Sequence, residues 1–391
     1  MSDKCFEFGR IYTPDGFLEK SYLTVSETKI EEISSTRPSF VGEEIYDFSN
    51  EMAVPGFIDI HTHGFGGASA TSGSEMDFLK MSKHFGSMGV TSFLPTVWSA
   101  SENRLKEVCS SFSDACLKEG EGSEMLGLHL EGPYFGKGEE RGAQNSEFLR
   151  PPDIEEFERL AETSGDRIER ISLAPDLDGA LEFIEKVSDK GVLVSAGHTA
   201  IDYEGALESF DRGVSLVTHL FNGMGSFHHR RPGIVGASLS TDVYTEIIMD
   251  MLHVHPAVVE MAIRAKGVDR VVAITDSVFL AGLPDGVYDI GGQKVKLSGG
   301  ECRTLDTNRL AGSTLTMSEA VKNIVKYTSF GLEEAIKMAS TVPADVFSLR
   351  DRGRIEPGLR ADMAILNKEL EVVGTVVGGE LMENKSSLVR N

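Results

Sequence analysis

Apolar residues recur along this chain with two different rhythms. Near both ends they alternate with polar residues in short runs, the period-two signature of strands with one buried face. Residues 6–12 and 17–25 flank the turn sequence Thr13-Pro14-Asp15-Gly16, and 29–33 and 44–48 continue the pattern. At the other end, 362–366 and 371–377 precede a Gly378-Gly379 turn and a short final strand. The middle repeats a different unit, a short apolar run followed by a helical stretch. Strands are predicted over 56–60, 90–95, 125–130, 168–174, 192–196, 215–218, 245–249 and 270–274. Helices are predicted over 75–88, 101–118, 153–163, 180–190, 203–212 and 256–266. Strands this continuously apolar are buried on both faces, which implies a parallel sheet covered by helices. Eight such units are the number that closes a (β/α)8 TIM barrel; a doubly wound open sheet is the other architecture such alternation allows. Residues 286–309 then read as a β-hairpin insertion, and helical segments from 315 to 347 complete the barrel. The expected organisation is a β-sandwich domain built from residues 1–54 and 360–391, and a barrel domain over 55–359.

Composition narrows the class of partner. The 391 residues carry 61 acidic and 38 basic side chains, a formal charge of −23, with 40% hydrophobic and 25% charged residues. These are globular proportions. The excess of acid argues against general binding of nucleic acid and against adhesion to anionic membranes, since both need clustered Lys and Arg. A small anion would need a local basic spot. No run of about 18 apolar residues is present to span a membrane. The start MSDKCFEFGRIYTPDGF lacks the basic-then-apolar order of a secretory signal. The four cysteines, Cys5, Cys109, Cys116 and Cys302, are scattered and form no C-x-x-C pair. They read as free thiols, and the expected location is cytoplasmic.

The chemistry lies in how the middle strands end. The first ends in Asp59-Ile60-His61-Thr62-His63, the third in His129-Leu130-Glu131 and the fifth in Ser195-Ala196-Gly197-His198. The sixth ends in Thr218-His219-Leu220-Phe221-Asn222 and the eighth in Ile274-Thr275-Asp276. In a barrel all these ends converge on one face. Residues i and i+2 of a strand point the same way, so His61 and His63 can serve one ion. Glu131 can offer an oxygen to each of two metals, with His198 and His219 on the second ion. The expected metal ligands are therefore His61, His63, Glu131, His198, His219 and Asp276. Mixed nitrogen and oxygen ligands suit one or two divalent ions, Zn2+ or Fe2+. Alone, an H-x-H pair or a strand-end His is commonly structural; the conjunction of six such residues, drawn from a chain with 10 histidines, is what carries the reading.

These residues sit in the motifs PGFIDIHTHG, LHLEGPYF, SAGHT, THLFNGM, AITDS and AGSTLTM. Together they resemble the amidohydrolase superfamily and, more narrowly, the N-acetylglucosamine-6-phosphate deacetylase family, along essentially the whole chain. Glu131 stands where hydantoinase-like relatives carry a carboxylated lysine. The resemblance implies hydrolysis of the acetamide of N-acetyl-D-glucosamine 6-phosphate, with Asp276 as general acid and base. It implies substrate contacts at Ala143, Asn222, Gly223, Arg230, Asp250, His253, Leu310, Ala311 and Gly312. Arg230 and His253 are assigned to the sugar phosphate, and a homodimer could bring them across its interface. Gly223 departs from the alanine familiar at its position, and Gln144 stands where some relatives have His. Gly64-Phe65-Gly66-Gly67 lacks the Lys-Ser/Thr ending of a phosphate-cradling loop and reads as a flexible rim. The competing readings are a deacetylase of N-acetylgalactosamine 6-phosphate, a cyclic amide hydrolase of the same superfamily, and an inactive scaffold, which would have lost ligands.

Overall fold

The computed structural model describes residues 4–382 apart from 40–44, 119, 121, 291–292 and 307. The two chain ends of the expected β domain, 1–3 and 383–391, and Glu44 of the expected fourth strand lie outside the described residues. Eight strands of the middle region are parallel and paired in chain order: β1 (Phe57–Thr62), β2 (Val90–Trp98), β3 (Leu128–Glu131), β4 (Ile168–Leu173), β5 (Leu193–Ala196), β6 (Val214–Val217), β7 (Tyr244–Ile248) and β8 (Val271–Ile274). The circle closes where β8 runs on beside β1: the Asp276 amide donates to the His61 carbonyl at 2.9 Å, and Thr62 bridges Ser277 in parallel. The barrel expected from the alternation is therefore present, with each of the eight predicted strands in its place.

The packing follows from the apolar pattern. Outward-facing strand residues such as Phe93, Leu130, Ile171 and Val194 are buried against the surrounding helices in the largest core cluster. A separate apolar cluster gathers Ile58, Ile60, Leu94, Leu216, Ile248 and Ile274 with Val342 and Ala344, filling the barrel interior apart from its polar residues. The six predicted helices form, trimmed at their ends by side-chain caps on Ser74, Ser101, Asp153 and Asp202. Helix Met317–Tyr327 opens with a capping box between Thr316 and Glu319. One helix, Gly233–Ser240, escaped the pattern because it has two glycines and no polar face; it is held by burial of Ile234, Val235 and Ala237.

Two local expectations are corrected. The insertion is a three-stranded antiparallel sheet, Gly286–Ile290, Gln293–Ser298 and Glu301–Thr304, rather than a two-stranded hairpin; residues 291–292 lie outside the described residues. The Gly64–Gly67 stretch is tethered rather than free. Gly64–Phe65 pairs with Ala68–Ser69, and the amides of Gly66 and Gly67 donate to the carbonyls of Ala281 and Phe279 at 2.8 Å.

The terminal strands form one seven-stranded sheet in the order Glu380–Met382, Val372–Val377, Met363–Leu366, Ile45–Pro55, Lys4–Thr13, Gly16–Ser26, Lys29–Ser34. Only the Lys4–Thr13 and Ile45–Pro55 pair is parallel. The sheet curls until Lys29 bridges Arg360, and its layers enclose Phe6, Ile11, Leu23, Met363 and Val376. Ile45–Pro55 leads straight into β1 through Gly56, where a Cβ would come within 2.2 Å of the Thr91 hydroxyl. That close approach requires glycine. The four cysteines form no disulfide, and among the described residues no helix is long and apolar enough to cross a membrane.

Candidate metal and active site

Five strand ends deliver the predicted ligands to one place. His61, His63 and Asp276 form one buried group and Glu131, His198 and His219 another, the ligand atoms of each lying within 4.8 Å of one another. Glu131 joins the two. Its Oε1 is 3.1 Å from His198 Nε2 and 3.0 Å from His219 Nε2, and also 3.6 Å from His61 Nε2. Its Oε2 lies 3.4 Å from His63 Nε2 and accepts from Gln144 Nε2 at 2.6 Å. Asp276 Oδ1 is 3.2 Å from His63 Nε2 and 3.6 Å from His61 Nε2.

The outer nitrogen of three of these imidazoles is anchored away from the centre. His61 Nδ1 contacts Glu246 Oε2 at 3.1 Å, His63 Nδ1 the Thr96 carbonyl at 3.0 Å and His198 Nδ1 the Glu140 carbonyl at 2.9 Å. Those acceptors carry no proton, so each Nδ1 donates, and Nε2 is the nitrogen each ring turns toward the carboxylates. Ring nitrogens and anionic oxygens at 3.0–3.6 Å are held together by an electrophile between them, a proton or a metal ion. His61 Nε2 is moreover a buried polar atom with no hydrogen-bond partner. Acceptor–histidine pairs around inward-facing nitrogens are the arrangement in which outer partners orient metal ligands. The donor set therefore fits a divalent cation.

Electrostatics agree. Burial disfavours the charged His61 ring, but Glu246, Asp276 and Glu131 outweigh it and raise its pKa to about 9. Burial likewise pushes the Glu131 carboxyl up, yet hydrogen bonds from His198 and His219 hold it well below the usual range. Asp276 is lowered in the same way, burial being overcome by His63 and His61. The pocket thus carries carboxylate charge that calls for a cation.

The backbone is bent to achieve this. His198, His219 and Asp276 have φ of 51°, 30° and 49°, a left-handed region that costs a non-glycine residue about 1 kcal/mol or more. Gly223 explains its departure from alanine. At φ 59° a Cβ there would lie 2.7 Å from His198 Nδ1 and 2.8 Å from the Glu140 carbonyl, the pair that anchors the ring.

A cavity of about 1110 Å3 opens above the carboxylates. Ala143, Asn222, Gly223, His253, Leu310, Ala311 and Gly312 line it, with His63, Glu131, His198, His219 and Asp276 in its floor. His61 is fully buried beneath. Asp250 contributes indirectly: its Oδ1 accepts the amides of Leu252 and His253 at 2.9 Å, and its Oδ2 lies 2.6 Å from His253 Nδ1. Burial lowers the His253 pKa, but this bond outweighs it and the group is raised. Arg230 stands apart, on an exposed loop against His229 at 2.8 Å. The arginines that line the cavity include Arg141, Arg303 and Arg309, none of them foreseen.

Also unforeseen is a buried ionic platform under the site. Arg170 pairs with Glu246, and both are fully buried. Arg170 also donates to Ser195 Oγ at 3.1 Å, the Ile60 carbonyl at 3.1 Å and Thr218 Oγ1 at 3.3 Å. Glu246 Oε2 accepts the His219 amide at 3.2 Å as well as holding His61. A signal existed for Glu246, the one charge in the strand Tyr244–Ile248, whereas Arg170 shares its strand with Glu169 and Ser172.

The amidohydrolase family profile matches residues 52–382. N-acetylglucosamine-6-phosphate deacetylase of Bacillus subtilis is 33% identical over 377 residues, 95% of this chain and 95% of its own. N-acetylgalactosamine-6-phosphate deacetylase of Escherichia coli O157:H7 is 34% identical over 374 residues, 95% of this chain and 97% of its own. The crystal structure of N-acetylglucosamine-6-phosphate deacetylase from Pasteurella multocida superposes with a TM-score of 0.92 at 30% identity, covering 98% of this chain and 100% of that one. The strand-end histidines and carboxylates, the shared Glu131 and this whole-length similarity make the chain a member of the amidohydrolase family, in its N-acetylglucosamine-6-phosphate deacetylase branch.

Proposed function

We propose that the chain hydrolyses the acetamide of N-acetyl-D-glucosamine 6-phosphate, giving D-glucosamine 6-phosphate and acetate. The observation that carries the reading is the convergence of two ligand groups on one carboxylate, Glu131, at the floor of a cavity roomy enough for a sugar phosphate. Glu131, His198 and His219 would hold one divalent ion, zinc or iron, and His61, His63 and Asp276 are placed for a second. Such an ion supplies Lewis acidity, acidifying a water toward neutral pKa and polarising the amide carbonyl.

The chain's own groups do the rest. Asp276, kept ionised, takes a proton from the water as its oxygen bonds to the acetamide carbon. It returns that proton to the nitrogen as the C–N bond breaks, because an amine leaves only when protonated. Gln144 steadies Glu131 through its 2.6 Å bond, its own carbonyl being fixed by the Ser99 amide at 3.1 Å. His253, Arg303 and Arg309 give the cavity positive charge for the phosphate within an acidic protein. Arg230, exposed on its loop, is assigned to the phosphate of a second copy in a homodimer. The working division remains 1–54 with 360–391 and 55–359, and the proposed location is the cytoplasm.

A relative acting on the galacto epimer at 34% identity keeps N-acetylgalactosamine 6-phosphate as the second reading. Turnover of both epimers, with metal analysis on the same sample, tests the assignment. Hydrolysis of the gluco compound that stops on chelation and returns with the metal is expected. Metal-loaded protein that hydrolyses neither epimer would overturn it.

A further inference from the structure

Trp98 is the only tryptophan in the chain, and it ends β2 at the cavity wall. Its backbone amide is held by Thr71 Oγ1 at 3.0 Å, and its indole N–H donates to His63 Nε2 at 2.6 Å. The two rings lie 4.5 Å apart. Because His63 Nδ1 gives its proton to the Thr96 carbonyl, Nε2 is the lone-pair nitrogen, and the indole uses that lone pair. The same lone pair, 3.2 Å from Asp276 Oδ1, is what His63 would offer to an ion in the His61, His63 and Asp276 group. One lone pair cannot serve an N–H and a metal together. Among the described residues no side-chain N–H intrudes in this way on His198 Nε2 or His219 Nε2, which face Glu131 Oε1.

Building on the metal reading above, we propose that Trp98 is a gate on the His61, His63 and Asp276 group. An ion at Glu131, His198 and His219 binds without moving it. An ion at the other group gains His63 only when the indole swings off Nε2 into the cavity it lines. The chain would then favour one ion over two, through a positioning residue that is not itself a ligand.

The lone tryptophan reports on its own displacement. Full-length protein stripped of metal is titrated with Zn2+ by equilibrium dialysis, as wild type and as Trp98→Phe, while wild-type tryptophan emission is recorded. The first equivalent is expected to bind equally well in both proteins. The second is expected to bind roughly tenfold more tightly to Trp98→Phe, the worth of one hydrogen bond that no longer has to be broken. In wild type the main emission change accompanies the second equivalent. Equal affinity of the second equivalent in the two proteins overturns the gate while leaving the metal reading intact. Should Trp98→Phe not fold, wild-type emission that changes only with the first equivalent overturns it. Failure of either protein to bind any Zn2+ overturns the metal reading and the gate together.

Discussion

Replacing Arg170 by Met probes the platform that orients the ligands. The guanidinium is fully buried, paired with Glu246, and donates to Ser195, Thr218 and the Ile60 carbonyl. Methionine fills much of the same volume but leaves the Glu246 carboxylate without its cation. Breaking a buried pair from one side costs about 3–5 kcal/mol. Glu246 keeps two donors, His61 Nδ1 at 3.1 Å and the His219 amide at 3.2 Å, which places the expected loss near the lower end, about 3 kcal/mol. Glu246→Gln alone strands Arg170 and is expected to cost about as much. The double variant buries no charge, so its loss should fall short of the sum of the singles by about 2 kcal/mol. Urea unfolding of metal-stripped protein, followed by far-ultraviolet circular dichroism, measures this without the contribution of bound metal to stability. In the folded variants Zn2+ affinity should drop about tenfold or more, since the partner that fixes His61 is disturbed. An Arg170→Met protein within about 1 kcal/mol of wild type, or strictly additive singles, would refute the platform.

Two further outcomes are expected. Asp276→Asn should abolish turnover of the sugar phosphate while the Glu131, His198 and His219 ion is retained, read by steady-state kinetics and metal content; near-wild-type turnover would remove Asp276 from proton transfer. Arg230→Ala should raise KM for the phosphorylated sugar about tenfold or more, as for loss of a charged hydrogen bond, and leave unphosphorylated N-acetylglucosamine unaffected; equal effects on the two sugars would reject the phosphate role.

Much of the site was legible in the chain because its signals are local. A strand's period of two puts His61 and His63 on one side, and apolar runs mark where strands stop, so Glu131, His198, His219 and Asp276 announce themselves as polar residues at those ends. Eight repeats then imply closure, and closure implies a shared face. The helix Gly233–Ser240 was not legible, because its two glycines and apolar surround are tolerated only through burial. Nor was the third strand of the insertion, whose pairing with Gln293–Ser298 is made across the Gly299-Gly300 turn.

What tertiary structure alone decided is which groups meet. Arg170 on β4 and Glu246 on β7 are 76 residues apart, and nothing in either strand's own pattern names the other. Trp98 reaches His63 across 35 residues, and Gln144 turns back to Glu131 from a loop. The arginines facing the cavity were settled likewise: Arg303 and Arg309 face into it, and Arg230, in the most basic stretch of its region, faces solvent. Local periodicity sets the face on which a side chain stands. Its neighbours depend on strand register around a closed barrel and on loop paths over the rim, which sequence spacing does not encode.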